Sequence, residues 1–132
     1  MIALDSSAII SVALDEPDAE DIFKCISSYD CLLGAPTLLE THLILRGKSR
    51  FPPSVVLDRL LLRPNVEIVD FTAQHASTAR VAFDQFGRGR HPAGLNYGDC
   101  MSYAIAKHAG IPLLFKGDDF CRTDVRCVER HA

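Results

Sequence analysis

The stretch NYGDCMSYAIAKHAGIPLLFKGDDF, Asn96 to Phe120, decides the reading of the fold. Asn96 followed three residues later by Asp99 has the spacing of a capping box, and helical periodicity then runs through His108 until Gly110 ends it. Pro112 to Phe115 is a short apolar run of strand length, and Lys116 to Asp119 follow it as a polar turn. A helix that delivers the chain into a buried strand is half of a crossover unit, so the sheet is expected to be parallel.

The remainder of the chain repeats this alternation. Ile2 to Leu4 forms a first strand stopped by Asp5, and Ser6 or Ser7 can cap a short helix through Leu14. Pro17 opens a second helix with Ile22, Phe23 and Ile26 on one face, and Cys31 to Ala35 is the second strand. Pro36 and Thr37 start a helix in which Leu39, Leu43 and Ile44 keep helical spacing, ending near Gly47. Another helix runs from Pro52 or Pro53 to Arg63, where Pro64 and Asn65 break it. Val66 to Val69 is the third strand, Thr72 to Phe86 a long helix, Gly87 to Gly94 a loop, and Val125 to Val128 a candidate fifth strand. The expected fold class is α/β: one domain over residues 1–132, with a mostly parallel central sheet of four to five strands flanked by helices.

Composition agrees with one compact domain. The 132 residues are 48% hydrophobic and 23% charged, with a mean hydropathy of +0.10, which excludes a disordered chain. Apolar runs such as Leu60 to Leu62 fall far short of the roughly 20 residues a membrane helix needs. Asp5 interrupts the first apolar stretch and no basic segment precedes it, so a secretory signal is not expected and a cytoplasmic location is the default. Cys25, Cys31, Cys100, Cys121 and Cys127 are odd in number and contain no C-x-x-C pair, so they read as free thiols packed as small apolar groups. The net charge of −3 speaks against binding nucleic acid through bulk charge.

In a parallel sheet the ligand crevice lies beyond the carboxyl ends of the strands, where the strand order switches. Asp5 follows the first strand, Glu40 lies one helical turn after the second, Asp99 opens the helix that feeds the fourth, and Asp118 and Asp119 follow the fourth. All map to one rim of the sheet. Taken singly, each has a structural reading: Thr37 with Glu40 and Asn96 with Asp99 both fit capping boxes, Asp5 fits a turn or cap, and Asp118 and Asp119 fit a solvated turn. Taken together, clustered carboxylates repel unless a cation neutralises them. Oxygen donors without His or Cys select Mg²⁺ or Mn²⁺ over Zn²⁺. Such an ion polarises a phosphoryl oxygen and activates water, so phosphodiester hydrolysis is the natural chemistry.

The letters around these acids resemble the PIN-domain ribonucleases, and within them the VapC-type toxins of toxin–antitoxin pairs. LDSSAII, Leu4 to Ile10, resembles the family's opening D-[ST]-S-A-[LIV], and DEPDAE, Asp15 to Glu20, resembles its E-P segment. Glu40 in APTLLET matches the second acid. GRGRHPAGLNYGDC, Gly87 to Cys100, then SYAIAK and PLLFKGDDF, is the most specific part. The resemblance spans Ile2 to about Val128. It implies that Asp5 and Asp99 hold Mg²⁺ (or Mn²⁺) and that Glu40 completes the acidic cluster. It gives the fourth acid as Asp119, with Asp118 as the alternative. It further implies RNA cleavage to a 5′-phosphate and a 3′-hydroxyl, in transfer or ribosomal RNA, a homodimer, and a VapB-like antitoxin. Ser6 matches the hydroxyl residue after the first Asp, holding a carboxylate or capping the helix.

Charge is unevenly spread. Asp15 to Asp30 holds six acids against Lys24, while Arg46, Lys48, Arg50, Arg59 and Arg63 stand against Asp58, and Arg88, Arg90 and His91 form a second basic loop. These are candidate phosphate contacts. His42, His75, His91, His108 and His131 lack H-E-x-x-H or triad context and read as structural or surface residues. Two other readings compete: a catalytically inactive PIN-fold interaction module, and a phosphoacceptor domain casting Asp5, Asp70 and Lys116 in the central roles.

Overall fold

The computed structural model describes residues 1–130. The chain runs β1 (Ile2–Leu4), α1 (Ser6–Ala13), α2 (Ala19–Ser28), β2 (Cys31–Gly34), α3 (Ala35–Lys48), α4 (Ser54–Leu61), β3 (Val66–Val69), α5 (Ala73–Phe86), α6 (Tyr97–Ala109) and β4 (Leu113–Leu114), ending in a 3₁₀ turn at Asp119–Arg122. The sheet is four-stranded in the order β3-β2-β1-β4, and every pairing is parallel. The order reverses between β1 and β4, which puts the crevice at their carboxyl ends.

One apolar layer covers each face of the sheet, as a parallel sheet requires. On one side Ala79, Ala82 and Phe86 of α5 and Tyr103 to Ala106 of α6 enclose Leu113, Phe115, Phe120 and Val125. On the other, Ile9 and Ile10 of α1, Ile22 and Ile26 of α2, Leu45 of α3 and Leu57 and Leu60 of α4 enclose Ile2, Leu4 and Leu33. Among the described residues no helix is long and apolar enough to cross a membrane.

Several expectations are corrected. Asp5, not Ser6 or Ser7, is the N-cap of α1. β2 ends at Gly34 and passes into α3 without a loop, with Pro36 in the first turn. The close crossing of α6 explains that glycine, because a Cβ at Gly34 would come within 2.8 Å of Ile105. The buried face of α3 is Thr37, Thr41 and Leu45, whereas Leu39 and Leu43, read as its core face, are 59% and 62% exposed. Phe23 likewise turns outward on α2, under the guanidinium of Arg63. The fifth strand reduces to a single bridge between Leu113 and Cys127. Gly110 stops α6 in the left-handed conformation, as its position implied.

Candidate active site

Asp5 leaves β1 at the point where the strand order switches. Its backbone N–H donates to the Leu114 carbonyl (3.0 Å), which fixes it beside β4. Its carboxylate, only 3% exposed, accepts from the Ser7 N–H (3.1 Å), the Ser7 hydroxyl (2.6 Å) and the Ser102 hydroxyl (2.5 Å). The Ser7 oxygen in turn accepts the Lys116 N–H (2.9 Å), and the Thr37 and Ser102 hydroxyls stand 3.3 Å apart. Asp5 is therefore held from α1 and α6, and both supports are tied to neighbouring elements. A buried carboxylate needs such donors to stay in place.

Glu40 projects from the second turn of α3. The capping box with Thr37 is not formed, because α3 begins earlier, at Ala35, and its Gly34 cap makes no side-chain bond. The Glu40 carboxylate lies directly over Gly98 of α6, where any Cβ would occupy its place. Burial pushes the Glu40 carboxyl up, the Ser6 hydroxyl opposes that shift, and the Asp5 charge adds to it. Ser6 thus faces a carboxylate and does not cap α1.

Asp99 does both things its position allows. Its N–H donates to Asn96 Oδ1 (2.9 Å) and its carboxylate accepts the Asn96 N–H (3.0 Å), completing the capping box. Burial is the main reason its carboxyl is pushed up to about 6; the Asn96 N–H opposes this, and the charges of Asp5, Asp119 and Glu40 reinforce it. Four acids from four segments thus share one rim. Asp119, exposed at the start of the 3₁₀ turn, is among the acids whose charge acts on Asp99.

Among the described residues, no Lys, Arg or His forms a salt bridge with Asp5, Glu40, Asp99 or Asp119. Four unpaired carboxylates are hard oxygen donors and fit a hard divalent ion. Burial, then the Asp99 charge, pushes the neighbouring Cys100 up to about 11. Among the described residues no three acid, His or Cys side chains stand in ready-made ligating geometry. Asp5 is turned toward Ser7 and Ser102, and Asp99 toward Asn96, so closing on an ion requires side-chain rotation.

Several cavities lie away from the acids. One of about 550 Å³ runs between α5 and α6, lined by Phe71, Phe83, Tyr97 and Met101. The acids occupy an open rim instead, an arrangement suited to a polymer chain more than to an enclosed small molecule. Arg88 and Arg90 are exposed on the loop before α6. Arg63 is engaged with α2 through Ser27 (3.1 Å) and Phe23.

Lys116 contradicts its part in a phosphoacceptor site, since its amine pairs with Glu16 (2.7 Å) and Asp18 (3.8 Å). His75 is a structural residue, completing a capping box with Thr72 and lying against Phe71 and His108. His91 accepts the Ala93 N–H (3.0 Å), and His131 lies outside the described residues. Reading the residues alone overlooks Ser7, Gly98 and Ser102. Ser102 had a signal: it is three residues after Asp99, hence on the same face of α6.

A PIN-domain family model matches residues 2–126. Ribonuclease VapC30 of Mycobacterium tuberculosis is 42% identical over 128 residues, covering 96% of this chain and 98% of its own length. Ribonuclease VapC of Mycolicibacterium smegmatis is 41% identical over 128 residues, covering 96% and 99%. Among solved structures, Mycobacterium tuberculosis VapC20, a sarcin–ricin-loop-cleaving toxin, aligns with a TM-score of 0.77 at 17% identity, covering 99% of this chain and 100% of that one. VapBC2 from Rickettsia felis, bound to a promoter DNA fragment, aligns at 0.72 and 18% identity, with 98% of each chain covered. At these identities the structural likenesses speak for the fold.

Proposed function

The chain belongs to the PIN-domain family as a VapC-type ribonuclease toxin, and from that premise we propose that it hydrolyses RNA phosphodiesters with Mg²⁺, or Mn²⁺ in its place, held by Asp5 and Asp99. The observation that carries this reading is the gathering of Asp5, Glu40, Asp99 and Asp119 on one rim with no described basic partner. The mutual repulsion of these carboxylates adds to the burial that raises Asp99, and it is relieved by a cation. When bound, the ion polarises a phosphoryl oxygen and makes a water nucleophilic near neutral pH.

The chain's own residues divide the remaining tasks. Ser7 and Ser102 hold the Asp5 carboxylate in the crevice. Asn96 keeps Asp99 at the first turn of α6, where the helix N-terminus favours the ionised form. Glu40, set over Gly98, orients the attacking water and accepts its hydrogen bond. Asp119 closes the exposed side of the cluster. Arg88 and Arg90 contact the RNA phosphates beside the site. The partner is a VapB-like antitoxin, a reading supported by neighbours such as the DNA-bound VapBC from Salmonella typhimurium, and the active form is a homodimer, as the family resemblance implies. Mapping of RNA 5′ ends with purified protein tests the activity. Ends bearing 5′-phosphate that appear with Mg²⁺ and vanish with EDTA support it, and cleavage indifferent to EDTA contradicts it.

A further inference from the structure

The cysteines do not all behave as packing groups. Cys25, Cys31 and Cys100 are buried, but Cys121 is exposed and Cys127 partly so, and the sulfur atoms of this last pair stand 3.7 Å apart. The fold sets that approach. Phe120 and Val125 are fixed in the core beneath α5 and α6. Asp124 accepts from the Tyr103 hydroxyl (2.6 Å) and the Lys107 amine (2.8 Å) of α6. Cys127 is held against β4, where the Leu113 N–H donates to Arg126 (2.8 Å) and the Val128 N–H donates to Leu113 (3.1 Å).

We propose that Cys121 and Cys127 are a redox modification site, oxidised by a peroxide to an intramolecular disulfide that displaces Asp119 and is reversed by a thiol reductant. The Cys121 sulfur attacks a peroxide oxygen and the O–O bond breaks. The departing oxygen takes up a proton and leaves as water, and Cys121 becomes a sulfenic acid. The Cys127 sulfur then attacks the Cys121 sulfur; the S–S bond forms, the S–O bond breaks, and the hydroxyl leaves as a second water with the Cys127 proton. Two thiols lose two electrons and the peroxide gains them. Burial and the adjoining Cys121 thiol push Cys127 up to about 11, so the exposed Cys121 meets the oxidant first.

Closing from 3.7 Å to a bond of about 2.05 Å requires movement. Cys127 is tied to β4 on both sides, whereas Cys121 belongs to the 3₁₀ turn that starts at Asp119. Phe120 of that turn stays anchored in the core, so the exposed backbone on either side of it is the part that gives, and this carries Asp119, the acid whose charge acts on Asp99. This coupling rests on the function proposed above; formation of the disulfide does not.

The test treats the whole chain with hydrogen peroxide, alkylates free thiols and maps the peptides, alongside RNA cleavage assays. Expected are a Cys121–Cys127 peptide lighter by two hydrogens, a fall in cleavage of about tenfold or more, and recovery with dithiothreitol. Cys121→Ser and Cys127→Ser should cleave RNA normally with or without peroxide. Absence of the cross-link, or a cross-link with unchanged cleavage, overturns the proposal. If the reduced chain fails to cleave RNA at all, the functional reading fails instead, while the peptide map still decides the disulfide.

Discussion

Gly98 on α6 presents a bare Cα to the carboxylate of Glu40 on α3, and a single Cβ there would take the position of that carboxylate. Two helices from different parts of the chain thus meet at a glycine that makes room for an acid. Gly98→Ala should leave the fold intact, since Ala is favoured over Gly in a helix by about 1 kcal/mol and the displaced group is a flexible side-chain end. Cleavage should nevertheless fall by roughly tenfold to a hundredfold, because the acid moves by ångströms. Circular dichroism and turnover on one preparation separate the two effects; a fully active variant would contradict this role for Gly98.

Asp99→Asn retains the cap, because an amide oxygen can still accept the Asn96 N–H, and removes one charge from the four-acid rim. In divalent-free buffer the variant should melt at or above the wild-type temperature. Addition of Mg²⁺ should raise the wild-type melting temperature and leave the variant almost unmoved. A variant that melts well below wild type, or that keeps the Mg²⁺ response, counts against the cluster.

Burial, with the neighbouring acids adding to it, fixes the sign of the pH dependence. Asp99 titrates from 3.8 when unfolded to about 6 when folded, and Glu40 shifts in the same direction from 4.5. Between those limits the folded state holds more protons than the unfolded one. The contribution of these two acids to stability without metal should therefore fall as pH rises from about 4 to about 6, while Asp18, Asp124 and His75, shifted downward, act in the opposite sense. Denaturant midpoints of wild type and Asp99→Asn across that window, in EDTA, isolate the Asp99 part; the variant should gain on wild type as pH rises, and a variant that loses ground would be the opposite result.

Ser102→Ala removes a donor from a carboxylate that has almost no access to water. A lost hydrogen bond to a charged group costs about 1.5–3 kcal/mol. Chemical denaturation should show a loss of that order, with reduced cleavage in the fraction that remains folded. Ser102→Thr, which keeps the hydroxyl, should recover part of the stability.

Arg88→Ala with Arg90→Ala should weaken RNA binding without altering metal response. If each contacts one phosphate of single-stranded RNA, the slope of log affinity against log salt should become shallower by about 1.4, two contacts at about 0.7 each. An unchanged slope would remove these arginines from the interface.

Much of this arrangement is legible in the letters. α6 and β4 follow from Asn96, Gly110 and the apolar run between Pro112 and Phe115, since caps, stops and buried strands leave local marks. The shared rim follows too, because parallel topology alone sends residues after each strand to one edge. What is not legible depends on contacts between distant segments. Thr37 has the spacing of a cap, yet β2 runs into α3 with no loop, so its hydroxyl meets Ser102 instead. Leu39 and Leu43 keep helical spacing but face solvent, which periodicity cannot distinguish from a core face. The meeting of Cys121 with Cys127 requires the bridge to β4.

The most direct test of the central claim is cleavage of RNA by wild type, Asp5→Asn and Asp99→Asn, each verified as folded, with Mg²⁺ and with EDTA. Cleavage by wild type in Mg²⁺ alone, absent from both variants and from every EDTA reaction, is the predicted result. Equal cleavage in EDTA, or full activity of both variants, would contradict the account.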